Sequence, residues 1–301
     1  MAGQLNGPEG SMKLLETSMS RLAAVASSLI LSLLSLQVTF AQEAKDELVR
    51  QTITYRQVAE QPDGNKKSLI MLVTKPKDWK EGDQRPAILF FHGGGWVGGK
   101  PGQFTAHASH FAAQGIVCFQ AQYRLLDRKK PNQPPANCVE DAKAAMEFVR
   151  SNAKDWGVDP GRIATAGGSA GGHLAAYLGM IAPKELKPQA MLLFNPVYDN
   201  GPGGWGTGRV GEQFKLYSPA HNITKDDPPS IVFLGTQDKL IPVSTAEKFQ
   251  QKCKDLGVAS ELRTYEGQGH GFFNEGRDGN RWYKKTVAES DAFLKQLGWI
   301  D

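Results

Sequence analysis

Short apolar runs alternate along most of the chain with segments whose apolar positions recur at helical spacing. The runs predict strands, and the helical spacing predicts helices packed on them. Strands are predicted at Gln51–Arg56, Ser68–Thr74, Ala87–Phe91, Ile116–Gln122, Arg162–Ala166, Ala190–Asn195, Ser230–Gly235 and Glu261–Tyr265. Helices are predicted at Asn137–Asn152, His173–Ile181, Thr245–Gly257 and Tyr283–Leu297, with another between the third and fourth strands. This order predicts an α/β fold with a mostly parallel central sheet of about eight strands and helices on both faces.

The alternation continues without an internal repeat or a low-complexity linker, so residues 42–301 are expected to form a single domain. One long stretch, Tyr198–Ile223, is rich in glycine and proline and has no clear period. Long irregular loops inside compact domains are often functional. We expect this stretch to be a short irregular insertion instead of a large cap.

The first forty residues have a different character. Leu22–Phe40 carries no charge, follows Arg21 and precedes Ala41 and a polar segment. A positive flank, an apolar centre and small residues at the cut are typical of a secretory signal, so residues 1–41 are predicted to be removed after Ala41. The mature protein would then be secreted or periplasmic, without stable membrane insertion. An uncleaved anchor is the alternative that the length of the run permits, although its serines and threonines disfavour it.

Composition narrows the classes of function. The 301 residues are 40% hydrophobic and 22% charged, which suits one large globular domain. The net charge of +4 is spread along the chain and forms no basic stripe, so no nucleic-acid partner is expected. Three cysteines, Cys118, Cys138 and Cys253, allow one disulfide at most and leave its existence open. No Cys/His cluster or His-Glu-x-x-His motif is present in the sequence, so we expect neither a metal nor a cofactor.

Ser169 is the candidate nucleophile. It lies in a Gly-x-Ser-x-Gly motif between a predicted strand and a predicted helix, where flanking glycines permit the sharp turn that exposes the hydroxyl. A serine of ordinary reactivity also needs a base, an acid that orients the base, and donors for the developing oxyanion. The sequence should therefore contain those three parts as well.

The oxyanion donors are predicted in the glycine run that begins at His92, directly after an apolar strand. Backbone N–H groups of Gly93 and Gly94, together with that of Ala170, would form the oxyanion hole. A phosphate-binding loop is the rival interpretation of this run. It requires a Gly-Lys-Ser/Thr ending, and the chain has Gly99–Lys100–Pro101 instead.

The acid and the base follow in the order Ser, acid, His. Asp238 comes shortly after the predicted strand Ser230–Gly235, and His270 comes after the last predicted strand. Asp227 is the main rival acid, but it precedes its strand instead of following it. The sequence therefore predicts a catalytic triad of Ser169, Asp238 and His270.

Three segments together, His92–Trp96, Gly168–Leu174 and Gly269–Phe272, resemble the hormone-sensitive-lipase-like esterases of the α/β-hydrolase superfamily. The resemblance extends from about Ser68 to Trp299 and is strongest to the secreted acetyl and feruloyl esterases that act on polysaccharides. It implies the α/β-hydrolase fold, a serine esterase activity and no cofactor. Hormone-sensitive lipase proper usually has an acid immediately before the nucleophile, whereas this chain has Gly168 there, which disfavours the narrower lipase assignment.

The expected activity is hydrolysis of short-acyl or aromatic carboxylic esters, on small molecules or carbohydrates, through an acyl-enzyme. Trp96 and Trp205 are candidate substrate-binding residues that would stack on a sugar or feruloyl ring, and packing of the glycine loops is the alternative role for both. A serine peptidase or a lipase of the same fold, or a non-catalytic binding protein, stays open. The sequence leaves the oligomeric state undetermined.

Overall fold

The computed structural model describes residues 48–59 and 66–301, and Leu48–Asp301 is one compact unit. The predicted signal segment, residues 1–41, lies outside the described residues. Eight strands form one sheet. They are β1 Val49–Ala59, β2 Lys66–Lys75, β3 Arg85–Phe91, β4 Val117–Ala121, β5 Val158–Gly168, β6 Ala190–Phe194, β7 Ser230–Gly235 and β8 Ser260–Tyr265.

Helices connect most of these strands. The α-helices are α1 Thr105–Ala113, α2 Ala136–Ser151, α3 Ala170–Met180, the short α4 Thr207–Val210, α5 Val243–Asp255 and α6 Arg281–Gln296. Short 3₁₀ turns occupy Pro101–Phe104, Lys184–Leu186, Gly211–Leu216, Pro219–His221 and Asp278–Asn280. No helix among residues 48–59 and 66–301 is both long and apolar enough to cross a membrane.

The strands lie in the order β1-β2-β4-β3-β5-β6-β7-β8. β2 pairs antiparallel with both β1 and β4, and every other neighbouring pair is parallel. β4 lies on one side of β3, and β5 lies on the other. The direction in which successive strands are added to the sheet therefore reverses between β4 and β5. Such a reversal leaves a crevice at the carboxyl ends of the two inner strands, and ligands of open α/β sheets bind there.

The core has two layers because successive side chains of a strand point to opposite faces of the sheet. In β3, Leu89 and Phe91 belong to the layer covered by α2, α3 and α5, whereas Ile88 and Phe90 belong to the layer covered by α1 and α6. Both layers exclude solvent, so Ala87–Phe91 of β3 and the whole of β6 are apolar and buried at every position, as the sequence predicted for Ala87–Phe91. The predicted fold class is confirmed.

The predicted elements agree with the observed ones to within a few residues at each end, with one larger difference. β5 begins at Val158, not at the predicted Arg162. Asp159, Pro160 and Gly161 are residue types that favour turns, but Val158 pairs with Arg85 and the ladder then skips to Ala87 opposite Ile163. The turn residues are thus accommodated as a bulge within the strand, an irregularity that local propensity does not distinguish from a loop.

The structure also locates the irregular insertion and the three cysteines. The insertion Tyr198–Ile223 has no large cap and consists of loops with three short helical turns.

The three cysteines are buried free thiols, and burial raises the pKa of Cys253 to about 11. None of the three pairs with another in this structure, so the disulfide that the sequence left open is absent from these described residues.

Candidate active site

The glycine loop and the candidate nucleophile lie side by side at the switch point of the sheet. β3 and β5 are parallel neighbours, and Phe91 pairs with Gly167 at their carboxyl ends. The loop after β3 carries His92–Gly95, and the turn after β5 carries Ser169. Sheet topology therefore brings together two motifs that are more than seventy residues apart in the chain.

Ser169 lies at a strained turn between β5 and α3, with φ 54° and ψ −118°. Positive φ is costly for a residue with a Cβ and is held here by hydrogen bonds on both sides. The Ser169 N–H donates to the Phe194 carbonyl at 3.0 Å, and its carbonyl accepts from His173 N–H at 3.0 Å. A Cβ at Gly171 would lie 2.0 Å from the Phe91 carbonyl oxygen, so only glycine lets α3 approach β3 this closely.

A continuous chain of hydrogen bonds joins the three predicted triad residues. His270 Nε2 lies 2.9 Å from Ser169 Oγ, and His270 Nδ1 lies 2.7 Å from Asp238 Oδ2. The Asp238 side chain is fully buried, whereas that of His270 is 23% exposed. With the Nδ1 proton directed at the carboxylate, Nε2 is free to accept the serine proton. The geometry is that of an activated serine nucleophile.

The environment keeps Asp238 ionised. Burial by itself would raise its pKa, but the hydrogen bond from His270 and those from the N–H groups of Ile241 and Leu240 outweigh burial and lower the pKa. Those N–H groups donate to Oδ1 at 3.0 and 2.8 Å, leaving Oδ2 for the imidazole. The carboxylate is therefore both charged and fixed in orientation.

The rival acid Asp227 is engaged elsewhere. Its carboxylate accepts Lys187 Nζ at 2.7 Å and both the N–H and the hydroxyl of Thr224 at 2.8 and 2.9 Å. These contacts close the loop before β7, at the amino end of the strand. Asp227 thus has a structural role, whereas Asp238, the acid that follows its strand, contacts His270.

The glycine loop after β3 adopts a conformation that glycine favours. Gly94 and Gly95 have φ of 116° and 62°, and Trp96 follows at 63°. His92 Nδ1 lies 2.8 Å from the Gly93 carbonyl oxygen, and burial lowers the pKa of His92 to about 4. The imidazole is therefore neutral near pH 7 and donates its Nδ1 proton to that carbonyl. The Gly93 carbonyl and the Gly94 N–H belong to the same trans peptide group, so the Gly94 N–H points away from the His92 ring.

One of the predicted oxyanion donors is already occupied. The Gly93 N–H donates to Gln103 Oε1 at 2.6 Å, so it is not free to bind a substrate oxygen. The N–H groups of Gly94 and Gly95 have no acceptor among the described residues. Ala170 is the first residue of α3, where an N–H has no intrahelical acceptor. The available donors are thus Gly94, Gly95 and Ala170, which corrects the prediction for Gly93 and adds Gly95.

The two tryptophans have different positions. Trp96 is completely buried, with its ring 4.9 Å from His173 and 5.2 Å from Trp205 between centroids. It cannot stack on a substrate in this conformation, so the substrate-binding prediction for Trp96 is corrected to the alternative, packing of the glycine loop. Trp205 is only partly buried, and its ring lies 3.5 Å from where a Cβ of Gly95 would be. It covers the loop from the solvent side.

A cleft of about 430 Å³ opens next to this ring. Trp205, Pro196 and Leu240 supply apolar walls, and Asp199 and Lys239 add charged groups. Pro196 follows the end of β6, and Lys239 and Leu240 directly follow Asp238, so the cleft adjoins the acid of the triad. A larger depression of about 620 Å³ lies near Ser260 at the amino end of β8, and none of Ser169, Asp238 and His270 lines either of these two cavities.

Gly168, where related lipases have an acid, has a packing role. A Cβ at this position would lie 2.5 Å from Cζ of Phe273. The Phe273 ring is buried and packs 4.8 Å from Phe194. The space that an acidic side chain would need next to Ser169 is therefore filled by an aromatic ring from the loop that carries His270.

Comparisons with known proteins agree with this architecture. A family model described as BD-FAE matches residues 73–196. The native structure of a thermophilic esterase from Thermogutta terrifontis is 39% identical, with a TM-score of 0.75, and the alignment covers 83% of this chain and 93% of that one. The chain belongs to the esterase family of α/β-hydrolases. Other structures of the Thermogutta esterase have propionate or butyrate bound, or are phosphorylated by paraoxon.

Two curated relatives match this chain over only part of their own length. Esterase LipC of Mycobacterium tuberculosis is 31% identical over 219 residues, which cover 62% of this chain and 53% of LipC. An acetylxylan esterase of Xylanibacter ruminicola is 26% identical over 203 residues, which cover 62% of this chain and 39% of that enzyme. The chain thus spans about half the length of LipC and less of the acetylxylan esterase.

Sequence reasoning missed three polar residues that contact the site, Gln103, Asn195 and Asn274. Asn195 has φ 35°, accepts the Gly271 N–H at 2.8 Å and places Nδ2 3.5 Å from His270 Nε2. Its position at the end of a predicted strand was the signal that could have identified it. Gln103 and Asn274 had no comparable signal.

Among the described residues, no group of three or more His, Cys, Asp or Glu is placed to hold a metal.

Proposed function

We propose that this protein is a serine carboxylesterase with Ser169 as nucleophile, His270 as general base and acid, and Asp238 as the orienting carboxylate. The observation that carries the proposal is the continuous set of hydrogen bonds, 2.9 Å from Ser169 Oγ to His270 Nε2 and 2.7 Å from His270 Nδ1 to Asp238 Oδ2. Membership of the esterase family supports the same reaction class.

In the acylation step, Ser169 Oγ attacks the ester carbonyl while His270 Nε2 takes the hydroxyl proton. The negative charge that develops on the carbonyl oxygen is stabilised by the N–H groups of Gly94, Gly95 and Ala170. Asp238 stabilises the imidazolium through Nδ1 without taking its proton. His270 then protonates the departing alkoxide, which leaves as the alcohol.

Deacylation repeats these roles with water in place of serine. His270 removes a proton from the water as it attacks the acyl-enzyme carbonyl, and the same N–H groups stabilise the second oxyanion. Collapse of this intermediate returns the proton to Ser169 and releases the carboxylic acid. Apart from the ester and the water, each step uses groups that the chain itself supplies.

We propose short acyl or aromatic esters, including esters of carbohydrates, as substrates. The cleft beside Asp238 has one aromatic wall, Trp205, and its apolar residues are interrupted by Asp199, Lys239, Thr245 and three glycines. Such a lining suits a ring or a short chain better than a long acyl chain, which needs a continuous apolar surface. The propionate- and butyrate-bound structures of the Thermogutta esterase and the similarity to an acetylxylan esterase support this choice.

The test compares the wild type with Ser169→Ala on p-nitrophenyl acetate, butyrate and dodecanoate, and on acetylated and feruloylated oligosaccharides. We expect the variant to lose several orders of magnitude in kcat, about 10⁶-fold at most, with its fold intact by circular dichroism. Paraoxon should inactivate the wild type by adding one diethyl phosphate to the peptide that contains Ser169. Turnover by Ser169→Ala near the wild-type level would refute the assignment, and a higher kcat/KM for dodecanoate than for acetate would refute the substrate class.

We also propose export followed by cleavage after Ala41, on the basis of the uncharged run Leu22–Phe40 and its positive flank. The amino-terminal sequence of protein recovered from the periplasm or the medium tests this. A start near Gln42 is expected, and an exported chain that retains Leu22–Phe40 would favour the anchor instead.

A further inference from the structure

A pair of side-chain amides connects the two loops that hold the oxyanion donors and the base. Gln103 Oε1 accepts the Gly93 N–H at 2.6 Å, and Gln103 Nε2 donates to Asn274 Oδ1 at 2.9 Å. Asn274 Nδ2 in turn donates to the Gly271 carbonyl at 2.8 Å. One end of this bridge is thus the backbone of the glycine loop, and the other is the residue after His270.

The two bridging residues are each next to a buried aromatic residue of the core. Gln103 precedes Phe104, and Asn274 follows Phe273, and these two buried rings stack at 5.9 Å between centroids. The stack belongs to the core layer under α1 and α6. The backbones of the two bridging residues are therefore held at a fixed separation by the core, independently of the loops that their side chains contact.

The strands alone do not set the distance between these loops. The glycine loop follows β3 and the histidine loop follows β8, and four inter-strand steps separate β3 from β8 in the sheet. At a spacing of about 4.8 Å per step, their ends are about 19 Å apart, so both loops reach inward over the sheet to meet at Ser169. Small changes in either loop would alter how the base and the oxyanion donors are placed relative to each other.

Both loops are also secured on their own sides. His92 Nδ1 holds the Gly93 carbonyl, and Asn195 Oδ1 accepts the Gly271 N–H. With the bridge, Gly271 is bound at both its N–H and its carbonyl, and Gly93 is bound at both as well. The bridge is the contact that joins the two locally secured loops to each other.

On the basis of the proposed esterase function, we propose that Gln103 and Asn274 are positioning residues that set the oxyanion donors of Gly94 and Gly95 in register with His270. Neither side chain needs to touch the substrate. Their effect is on the transition state, because its charge must meet the donors at the moment that the base transfers its proton.

The test measures kcat and KM toward p-nitrophenyl acetate for Gln103→Ala, Asn274→Ala and the double variant. A matched control is Gln251→Ala, which removes an exposed amide on α5 whose one hydrogen-bond partner among residues 48–59 and 66–301 is Asp255. We expect each single change to lower kcat by about 10- to 100-fold with little change in KM, as misplacement of reacting groups does. The double variant should be no slower than the slower single one, because both remove the same bridge.

Two further measurements separate positioning from general loosening of the fold. Gln103→Glu keeps an acceptor for the Gly93 N–H but cannot donate to Asn274, so it should lose activity like Gln103→Ala while melting near the Gln251→Ala control. The rate ratio between phenyl acetate and its thionoester should also fall in the bridge variants, because sulfur accepts oxyanion-hole hydrogen bonds poorly and the wild type discriminates through those bonds.

The outcomes are distinct. A wild type without Ser169-dependent hydrolysis would refute the proposed function itself. If hydrolysis depends on Ser169, the positioning role is refuted by any of three results: an unchanged kcat in both single variants, multiplying losses in the double variant, or an unchanged thionoester ratio.

Discussion

His107 is a buried histidine whose replacement by phenylalanine should make the fold less sensitive to acid. It is completely buried on α1, and neither ring nitrogen has a hydrogen-bond partner among the described residues. Its ring makes edge contacts with Phe104, Phe194 and Tyr283 at 5.0, 5.4 and 4.8 Å between centroids. Burial, with a smaller contribution from the charge of His110, lowers its pKa to about 3.

The sign of the effect follows from which state binds the proton first. As pH falls, the unfolded chain binds it near the ordinary pKa of 6.5, whereas the folded state binds it only near 3. The free energy of unfolding therefore decreases from about pH 6.5 down to about pH 3. At pH 5 the unfolded imidazole is about 97% protonated, and the loss relative to pH 8 is about 2 kcal/mol from this residue.

Urea unfolding of the wild type and His107→Phe at pH 8 and pH 5 measures this difference. Phenylalanine is larger, so the variant bears some packing cost, but that cost is the same at both pH values and cancels. The variant should lose about 2 kcal/mol less than the wild type between pH 8 and pH 5, which corresponds to about 4–8 °C in melting temperature at pH 5. Equal losses in both proteins would refute the reasoning.

His173→Phe is a comparison variant at a second buried histidine, which differs from His107 in having a hydrogen-bond partner. Burial also lowers the pKa of His173, to about 4, although its hydrogen bond to the Tyr217 carbonyl opposes the shift. Its Nε2 donates to that carbonyl at 2.7 Å. This variant should reduce the acid sensitivity similarly but lose stability at pH 8, because the Tyr217 carbonyl loses its donor.

Asp238→Asn should lower kcat by about 10³- to 10⁴-fold, because an amide neither stabilises the imidazolium nor maintains the tautomer that accepts the Ser169 proton. Steady-state kinetics with p-nitrophenyl acetate check this, and a loss below tenfold would contradict the role of Asp238. Gly168→Ala should destabilise the fold by about 1–3 kcal/mol, because its Cβ would lie 2.5 Å from the Phe273 ring. Urea unfolding measures the loss, Gly168→Ala with Phe273→Leu should recover part of it, and a Gly168→Ala protein as stable as the wild type would contradict this packing argument.

The sequence by itself determined the fold class and the residues that meet at the site. Apolar runs such as Ala87–Phe91 identify strands buried on both faces, because helices cover both sides of a parallel sheet. Strand ends at one edge then bring Ser169, Asp238 and His270 together, although they are spread over about a hundred residues. Position after the strand also distinguished Asp238 from Asp227, since only the carboxyl edge of the sheet faces the nucleophile.

Tertiary structure decided which groups near the site are free to act. Whether the Gly93 N–H can bind an oxyanion depends on Gln103, and the place of Gln103 depends on Asn274, 171 residues further along the chain. Trp96 is likewise buried because Trp205, from the insertion, covers it. A local motif specifies backbone shape and residue type, but hydrogen-bond partners and exposure are set by residues that only the packed sheet brings into contact.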